Sequence, residues 1–110
     1  MIKRALFLAL VVSCPSRLLS AQDANVSVDM IGIGSMSCAH WRSTQEHRLE
    51  GTVWIYGFWT GLNYVAAASG QTQAKIDAAE ISAKVEKTCA LGSSQTLASA
   101  AWTTYVASNR

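Results

Sequence analysis

Residues 53 to 69 read Val-Trp-Ile-Tyr-Gly-Phe-Trp-Thr-Gly-Leu-Asn-Tyr-Val-Ala-Ala-Ala-Ser, a stretch that carries no charged side chain and holds two of the four tryptophans. Its apolar residues recur at steps of four, three and four, which is typical of one face of an α-helix. The members of this stripe are Trp54, Phe58, Gly61 and Val65, with Ile55 and Leu62 beside them. Tyr56, Trp59 and Tyr64 occupy much of the remaining circumference. We therefore predict a central helix, from about residue 44 to 68, that other helices cover on most sides.

Two glycines interrupt this helix one turn apart. Gly57 and Gly61 each cost about 1 kcal/mol of helix propensity relative to alanine, and close approach by another backbone would offset that cost. Their spacing is also typical of membrane helix dimers. However, 17 uncharged residues are at the short limit for a membrane span, and Thr60 and Asn63 interrupt them. We expect a buried core helix and no stable membrane insertion.

Asn63 is the polar residue of this stretch that most needs an explanation. If its amide is buried, it must find hydrogen-bond partners. A structural bond to a neighbouring loop is the favoured interpretation. A ligand contact and simple exposure are the alternatives.

The first 21 residues are predicted to be a secretory signal peptide. Lys3 and Arg4 are followed by an unbroken apolar run over 5–12 and by small residues at 20–21. Eight apolar residues span only about 12 Å as a helix, against a hydrocarbon core of roughly 30 Å, which argues against a membrane anchor. We therefore expect a periplasmic or secreted protein. Cys14 follows Val-Val-Ser in a pattern that resembles a bacterial lipobox, so a lipoprotein attached through Cys14 is the alternative.

Cleavage would change the charge of the chain. It removes three of nine basic residues and leaves six against seven acidic ones, a net charge of −1 with neutral histidines. A chain without a cationic field is poorly suited to recruit nucleic acid or anionic lipid. Neither is expected as a partner.

Cleavage would also leave two cysteines, Cys38 and Cys89. In an oxidising compartment an isolated pair usually forms a disulfide. The loop that this bond closes contains about 50 residues, which in the chain-entropy model stabilises the fold by about 4 kcal/mol. That is comparable with the whole net stability of a small domain.

The other elements are also predicted to be helical, after a flexible lead-in over 22–35. A short helix over about 37–43 precedes the central one, where Ser43 and Glu46 match a capping box. A third helix over about 73–91 and a last one over about 95–108, capped by Ser94, carry apolar stripes. The stripe of the third helix is Ala74, Ala78, Ile81, Val85 and Cys89, and that of the last is Leu97, Ala101 and Tyr105, with Trp102 beside it. The prediction is an all-α domain over 36–110, a small bundle of about four helices around the central apolar helix with one disulfide.

Polar residues offer little for catalysis. His40 and His47 are seven residues apart, and Glu46 and Glu50 lie one turn apart at a helix start, where the helix dipole favours acidic side chains. A bridged Cys38 is no longer available as a metal ligand. We expect no catalytic residue, no metal and no cofactor. The alternative is an envelope hydrolase that uses the two histidines with either glutamate.

The order of these elements suggests a family. Cys38 and Trp41 form a Cys-x-x-aromatic element, Val85 and Cys89 end a later helix as Val-x-x-x-Cys, and a short aromatic helix closes the chain. Over about residues 36–108 this resembles the small periplasmic HdeA-like proteins, whose acid-stress chaperones are α-helical with one disulfide. It also resembles the Tai-type immunity proteins, secreted helical domains that block cell-wall amidases of type VI secretion. The chain lacks the lysine-rich termini of the former and the second disulfide of the latter.

The resemblance implies a binder rather than an enzyme. We expect an exported, non-enzymatic protein-binding domain of the bacterial periplasm, either immunity-like and inhibitory or an acid-stress chaperone. Its partner would be another protein, with a homodimer as a further expectation. The residues expected to serve binding or core packing are Trp54, Gly57, Phe58, Gly61 and Asn63.

Overall fold

The computed structural model describes residues 27–109, and its regular elements are helical. In chain order they are a 3-10 helix, Gly32–Ser35, and four α-helices: α1 (Cys38–Trp41), α2 (Gln45–Ala68), α3 (Ala78–Ala90) and α4 (Leu97–Ser108). Within 27–109 there is no β-strand. The predicted all-α bundle of four helices is confirmed. The predicted signal peptide and Cys14 lie outside the described residues.

Each α-helix begins at a side chain that accepts a hydrogen bond from a free backbone N–H of the first turn. These N-caps are Ser37, Thr44, Asp77 and Thr96. Three of them correct a predicted cap or a predicted helix start. Thr44, not Ser43, caps α2. The third helix begins five residues later than expected because Asp77 caps it, and α4 is capped by Thr96 rather than Ser94.

The predicted disulfide joins α1 to α3. Cys38 and Cys89 have Cα atoms 5.6 Å apart, and both side chains are fully buried. Ile81 and Val85 on α3 and Leu97 on α4 complete this part of the core. The bond therefore fixes the two ends of a 51-residue segment that contains all of α2.

The face that α2 turns to the core differs from the predicted one. The buried residues are Gly51, Ile55, Trp59 and Ala66. Trp54 and Phe58 lie half-buried at the edge of this face, and Val65 is exposed. Because apolar side chains surround the helix, spacing alone does not decide which stripe is buried, and the stripe next to the predicted one packs inward.

The lead-in packs earlier than the sequence indicates. We expected flexible chain through residue 35, but residues 32–35 form the 3-10 helix, with Ile33 buried. The Trp54 indole N–H donates to the Ile31 carbonyl over 2.9 Å. Gly34 lies against the same indole, where an added Cβ would overlap the ring. The glycine is therefore needed for contact with α2 and not for flexibility.

Candidate binding surface

Asn63 has a structural role. Its Oδ1 accepts from the backbone N–H of Ala74 over 3.1 Å and from the Tyr105 hydroxyl over 2.8 Å. One turn earlier on α2, the indole N–H of Trp59 donates to the Ala74 carbonyl over 3.0 Å. Two side chains of α2 thus hold both polar groups of one buried loop residue. The favoured interpretation, a bond to a neighbouring loop, is confirmed.

Trp54 and Phe58 serve packing. Their rings stack at 5.0 Å between centroids, with 20° between the planes. Trp54 also holds the lead-in through Ile31 and Gly34. These two aromatic residues join the 3-10 helix to α2 and are not a free surface.

We expected another backbone to approach Gly57 and Gly61 closely, and within the described chain this prediction is wrong. No atom in residues 27–109 lies within 4 Å of a Cβ built on either glycine, apart from the helix's own neighbouring backbone. The close approach occurs instead at Gly51, where an added Cβ would overlap the Trp41 indole. The sequence contained this signal, because Gly51 lies four residues before Ile55 and continues the buried stripe.

The side of α2 that faces away from the core is exposed, so the prediction that helices cover α2 on most sides is wrong. Val53, Tyr64 and Val65 are 62%, 75% and 61% exposed. No charged residue occurs between Glu50 and Lys75. This outward face of α2 comprises Val53, Gly57, Gly61, Tyr64 and Val65. It is an uncharged helix surface of the kind that usually marks an interaction site.

A second apolar surface lies where α2 and α4 end side by side. Trp102 on α4 is 51% exposed. Its ring runs nearly parallel to that of Tyr105, with centroids 6.4 Å apart and 9° between the planes. Next to it is a groove of about 390 Å³. The groove is lined by Leu62, Val65, Ala66, Gln71, Trp102, Tyr105, Val106 and Asn109. We call it the Trp102 groove.

Asn109, one of the residues that line the Trp102 groove, has an unpaired acceptor within the described chain. The side-chain oxygen of Asn109 is buried and has no hydrogen-bond partner among residues 27–109. A buried oxygen in this state costs free energy until it meets a donor. From the sequence, Trp102 is expected only beside the core stripe of the last helix. Its position at the border of a groove follows from the way α2 and α4 meet.

The two histidines lie together at the junction of α1 and α2. Their rings stack with centroids 4.0 Å apart. Ser43 Oγ lies 3.1 Å from His47 Nδ1 and donates to the His40 carbonyl over 2.6 Å. In the described chain, no hydrogen bond or ion pair joins Glu46 or Glu50 to either ring. Of the predicted set, the two histidines therefore lie together, whereas neither glutamate is bonded to them.

The main charged cluster connects this junction to α3. Glu86 pairs with Arg42 at 2.9 Å and with Arg48, which approaches both carboxylate oxygens at 2.7 and 3.2 Å. The Arg48 guanidinium also lies over the Trp41 ring, 5.3 Å from its centroid. Trp41 in turn donates its indole N–H to the Arg48 carbonyl over 3.0 Å. These contacts orient α1 against α2 and α3 and leave neither arginine free as an anion site.

No group of three or more His, Cys, Asp or Glu side chains in 27–109 is arranged to hold a metal ion. Over the same residues, no helix combines the length and apolarity that crossing a bilayer requires.

No protein family, no curated protein and no solved structure matches this chain. The resemblance to the HdeA-like and Tai-type proteins therefore stays a prediction. The candidate site rests on the chain's own geometry, and its two parts are the Trp102 groove and the outward face of α2.

Proposed function

We propose that this chain is an exported, non-enzymatic domain of the bacterial periplasm that binds another protein in the Trp102 groove. The observation that carries the proposal is the half-exposed Trp102 ring bordering an open apolar groove on a disulfide-linked bundle. Tryptophan is among the residues that contribute most to protein interfaces, because it buries a large rigid surface at a small entropic cost.

The surroundings of Trp102 support binding of an apolar side chain. Leu62, Val65 and Val106 supply apolar walls. Tyr105 is held by its hydroxyl bond to Asn63 and by edge-to-face contact with Trp59, at 4.9 Å between centroids. The base of the groove is therefore fixed before a partner arrives, which lowers the cost of binding.

The location rests on the disulfide and on the predicted signal. A buried bond between Cys38 and Cys89 persists in oxidising compartments and is rare in the cytosol. Export to the periplasm supplies such a compartment.

Capture with the folded, oxidised, processed chain tests the proposal. Trp102→Ala should lower the recovery of a partner from a bacterial envelope extract by more than about tenfold, as expected for the loss of an interface anchor. The matched control is Leu91→Ala, because Leu91 is an apolar side chain at the end of α3 that is even more exposed than Trp102. Equal recovery by the wild type and both variants would refute binding in the groove.

The inhibitor and chaperone versions differ in their response to acid. An inhibitor uses the folded groove, whereas an acid chaperone exposes apolar surface when its carboxylates lose their charge. Loss of charge on Glu86 would leave Arg42 and Arg48 without their partner. Circular dichroism and hydrophobic-dye binding from about pH 7 to about pH 2 separate the two versions. Compact folding with no dye binding at the acid end would leave the inhibitor version.

A hydrolase is the second candidate, favoured by the contact between Ser43 Oγ and His47 Nδ1 at 3.1 Å. In such a site the Ser43 hydroxyl would turn its proton from the His40 carbonyl to His47, which would act as the base, with the stacked His40 beside it. A screen of hydrolase substrates with the wild type and a His40→Ala, His47→Ala double variant tests this directly. Activity that the double variant loses would replace the binding proposal.

A further inference from the structure

The outward face of α2 has a feature that binding in the Trp102 groove does not use. Gly57 and Gly61 form a notch in an exposed apolar surface, and no other part of the described chain fills it. Larger exposed side chains stand on both sides of the notch along the helix, Val53 before it and Tyr64 and Val65 after it. A notch between two ridges is a shape that a second helix fits.

We infer that α2 pairs with α2 of a second copy of this chain, antiparallel, with the helices crossing at Gly57 and Gly61. The two glycines let the backbones approach more closely than any other pair of residues on this face would. The inference goes beyond the proposed function and does not depend on the Trp102 groove.

The two glycines lie symmetrically about residue 59. A two-fold axis at the level of residue 59 would therefore pair two antiparallel copies of α2. Gly57 and Gly61 are each two residues from that level, so each faces the other in the second copy. A turn of about 100° per residue puts Val53 and Tyr64 on the same side of the line through the glycines. The axis therefore brings Val53 against Tyr64 of the second copy. The face is complementary to itself, as a two-fold interface requires.

Charge selects the antiparallel orientation. Glu46 and Glu50 both lie in the N-terminal half of α2 and are exposed. A parallel pair would bring four carboxylates to one end of the interface, where like charges oppose association. In the antiparallel pair, Glu50 faces Ala68 of the second copy, and Lys75 is the first charged residue beyond that end. The helix dipoles are then opposed as well, which is the favourable arrangement.

Alanine at both glycines separates dimer formation from folding. An added Cβ at either position meets no atom within 4 Å inside the described chain, so the variant folds. Between two copies the same methyl groups stand in the notch and hold the helices apart. Sedimentation equilibrium of the processed chain across the micromolar range should show a monomer–dimer equilibrium. Gly57→Ala with Gly61→Ala should weaken it by at least about tenfold.

A glycine outside the face supplies the matched control. Gly92→Ala, in the turn before α4, should leave the dissociation constant unchanged, because an added Cβ there makes only an ordinary contact with Gln95. A wild-type chain that stays monomeric at every concentration overturns the inference. So does a dimer that the double alanine variant leaves unchanged.

Charge substitutions test the orientation. Val53→Glu alone and Tyr64→Lys alone should each weaken the dimer, since each places an unpaired charge in an apolar interface. Together they should restore it, with a dependence on salt, because the antiparallel axis makes them neighbours across the interface. Absence of rescue in a combined variant with native circular dichroism overturns the antiparallel pairing.

The Trp102→Ala variant keeps this result separate from the proposed function. It should remain dimeric, because Trp102 lies on α4 and not on the outward face of α2. Monomeric wild-type protein that still requires Trp102 for capture would overturn the dimer and leave the groove proposal standing. A dimeric wild-type protein whose Trp102→Ala variant captures as much partner as the wild type would refute the groove proposal and leave the dimer standing.

Discussion

Gly51 and Gly57 lie six residues apart on the same helix, yet their surroundings are opposite. Gly51 lies beneath the Trp41 indole, where no Cβ fits, whereas Gly57 faces open space. Gly34 repeats the first situation against Trp54, and Gly61 repeats the second. Within the described chain, Gly51 and Gly34 leave room for an indole ring that a larger side chain would displace. Gly57 and Gly61 make room for nothing in that part of the chain.

Helix α2 has a packed side and an outward side with different roles. Its packed side is held by the indole of Trp41, by Trp59 and Asn63 binding the Ala74 backbone, and by the covalent frame of α1 and α3. Its outward side carries apolar residues that contribute little to the stability of the single chain. Substitutions on the packed side should therefore change folding, and those on the outward side should change association.

Loss of the disulfide should give the largest effect, because the bond encloses the whole packed side of α2. Replacing both cysteines, Cys38→Ala with Cys89→Ala, should lower the free energy of unfolding by about 4 kcal/mol, as expected for a loop of 51 residues. Urea denaturation followed by circular dichroism measures this change. Reduced wild-type protein should show a similar loss, and an unchanged midpoint in both samples would mean that the bond does not stabilise the packed side of α2.

Gly51→Ala should be the next most damaging change. Alanine normally stabilises a helix relative to glycine by about 1 kcal/mol. Here the added Cβ overlaps the Trp41 ring, whose indole N–H is bound to the Arg48 carbonyl. Overpacking typically costs up to about 3 kcal/mol and occasionally more, so for an overlap with a bound ring a net loss of at least about 2 kcal/mol should remain after the helix gain. Thermal denaturation with Gly92→Ala as the control checks the sign, and a stabilised Gly51→Ala protein would show that Trp41 moves freely.

Much of the fold could be predicted from the sequence because local signals agree with it. The cysteine pair, the stripe ending at Val85 and Cys89, and the turns between helices lead to the observed all-α bundle. Helix starts were less predictable, since several serines and threonines compete as N-caps. Ser43 and Thr44 are both suitable, and the choice depends on the Ser43 hydroxyl binding the His40 carbonyl.

The candidate site was harder to predict than the fold. The stretch from Gly51 to Ala74 carries no charge, so polarity does not mark which side of α2 faces water. Asn63 was the exception, because a buried amide demands partners and the loop supplied one. The Trp102 groove depends on how two helix ends meet in three dimensions, and the spacing of residues along either helix contains no sign of it.

Asn63→Ala should have the third-largest effect and acts at the loop rather than in the apolar core. It leaves the Ala74 N–H and the Tyr105 hydroxyl without their acceptor. Unsatisfied buried groups of this kind should lower the free energy of unfolding by about 2 kcal/mol. Hydrogen exchange at Ala74 should accelerate in the variant. Thr60→Ala, on the exposed side one turn earlier, is the control and should leave both measurements nearly unchanged, because Thr60 bonds only locally to the Tyr56 carbonyl.

Gly57→Ala should give the smallest effect and the opposite sign. In dilute solution, where the chain is monomeric, alanine restores helix propensity and meets nothing, so the free energy of unfolding should rise by about 1 kcal/mol. At high protein concentration the gain should shrink or reverse, because the variant loses the stabilisation that association gives the wild type. Urea denaturation at two protein concentrations tests both statements together. A gain of equal size at both concentrations would mean that nothing covers this face in solution, and a loss in dilute solution would mean that the chain itself fills the space above Gly57.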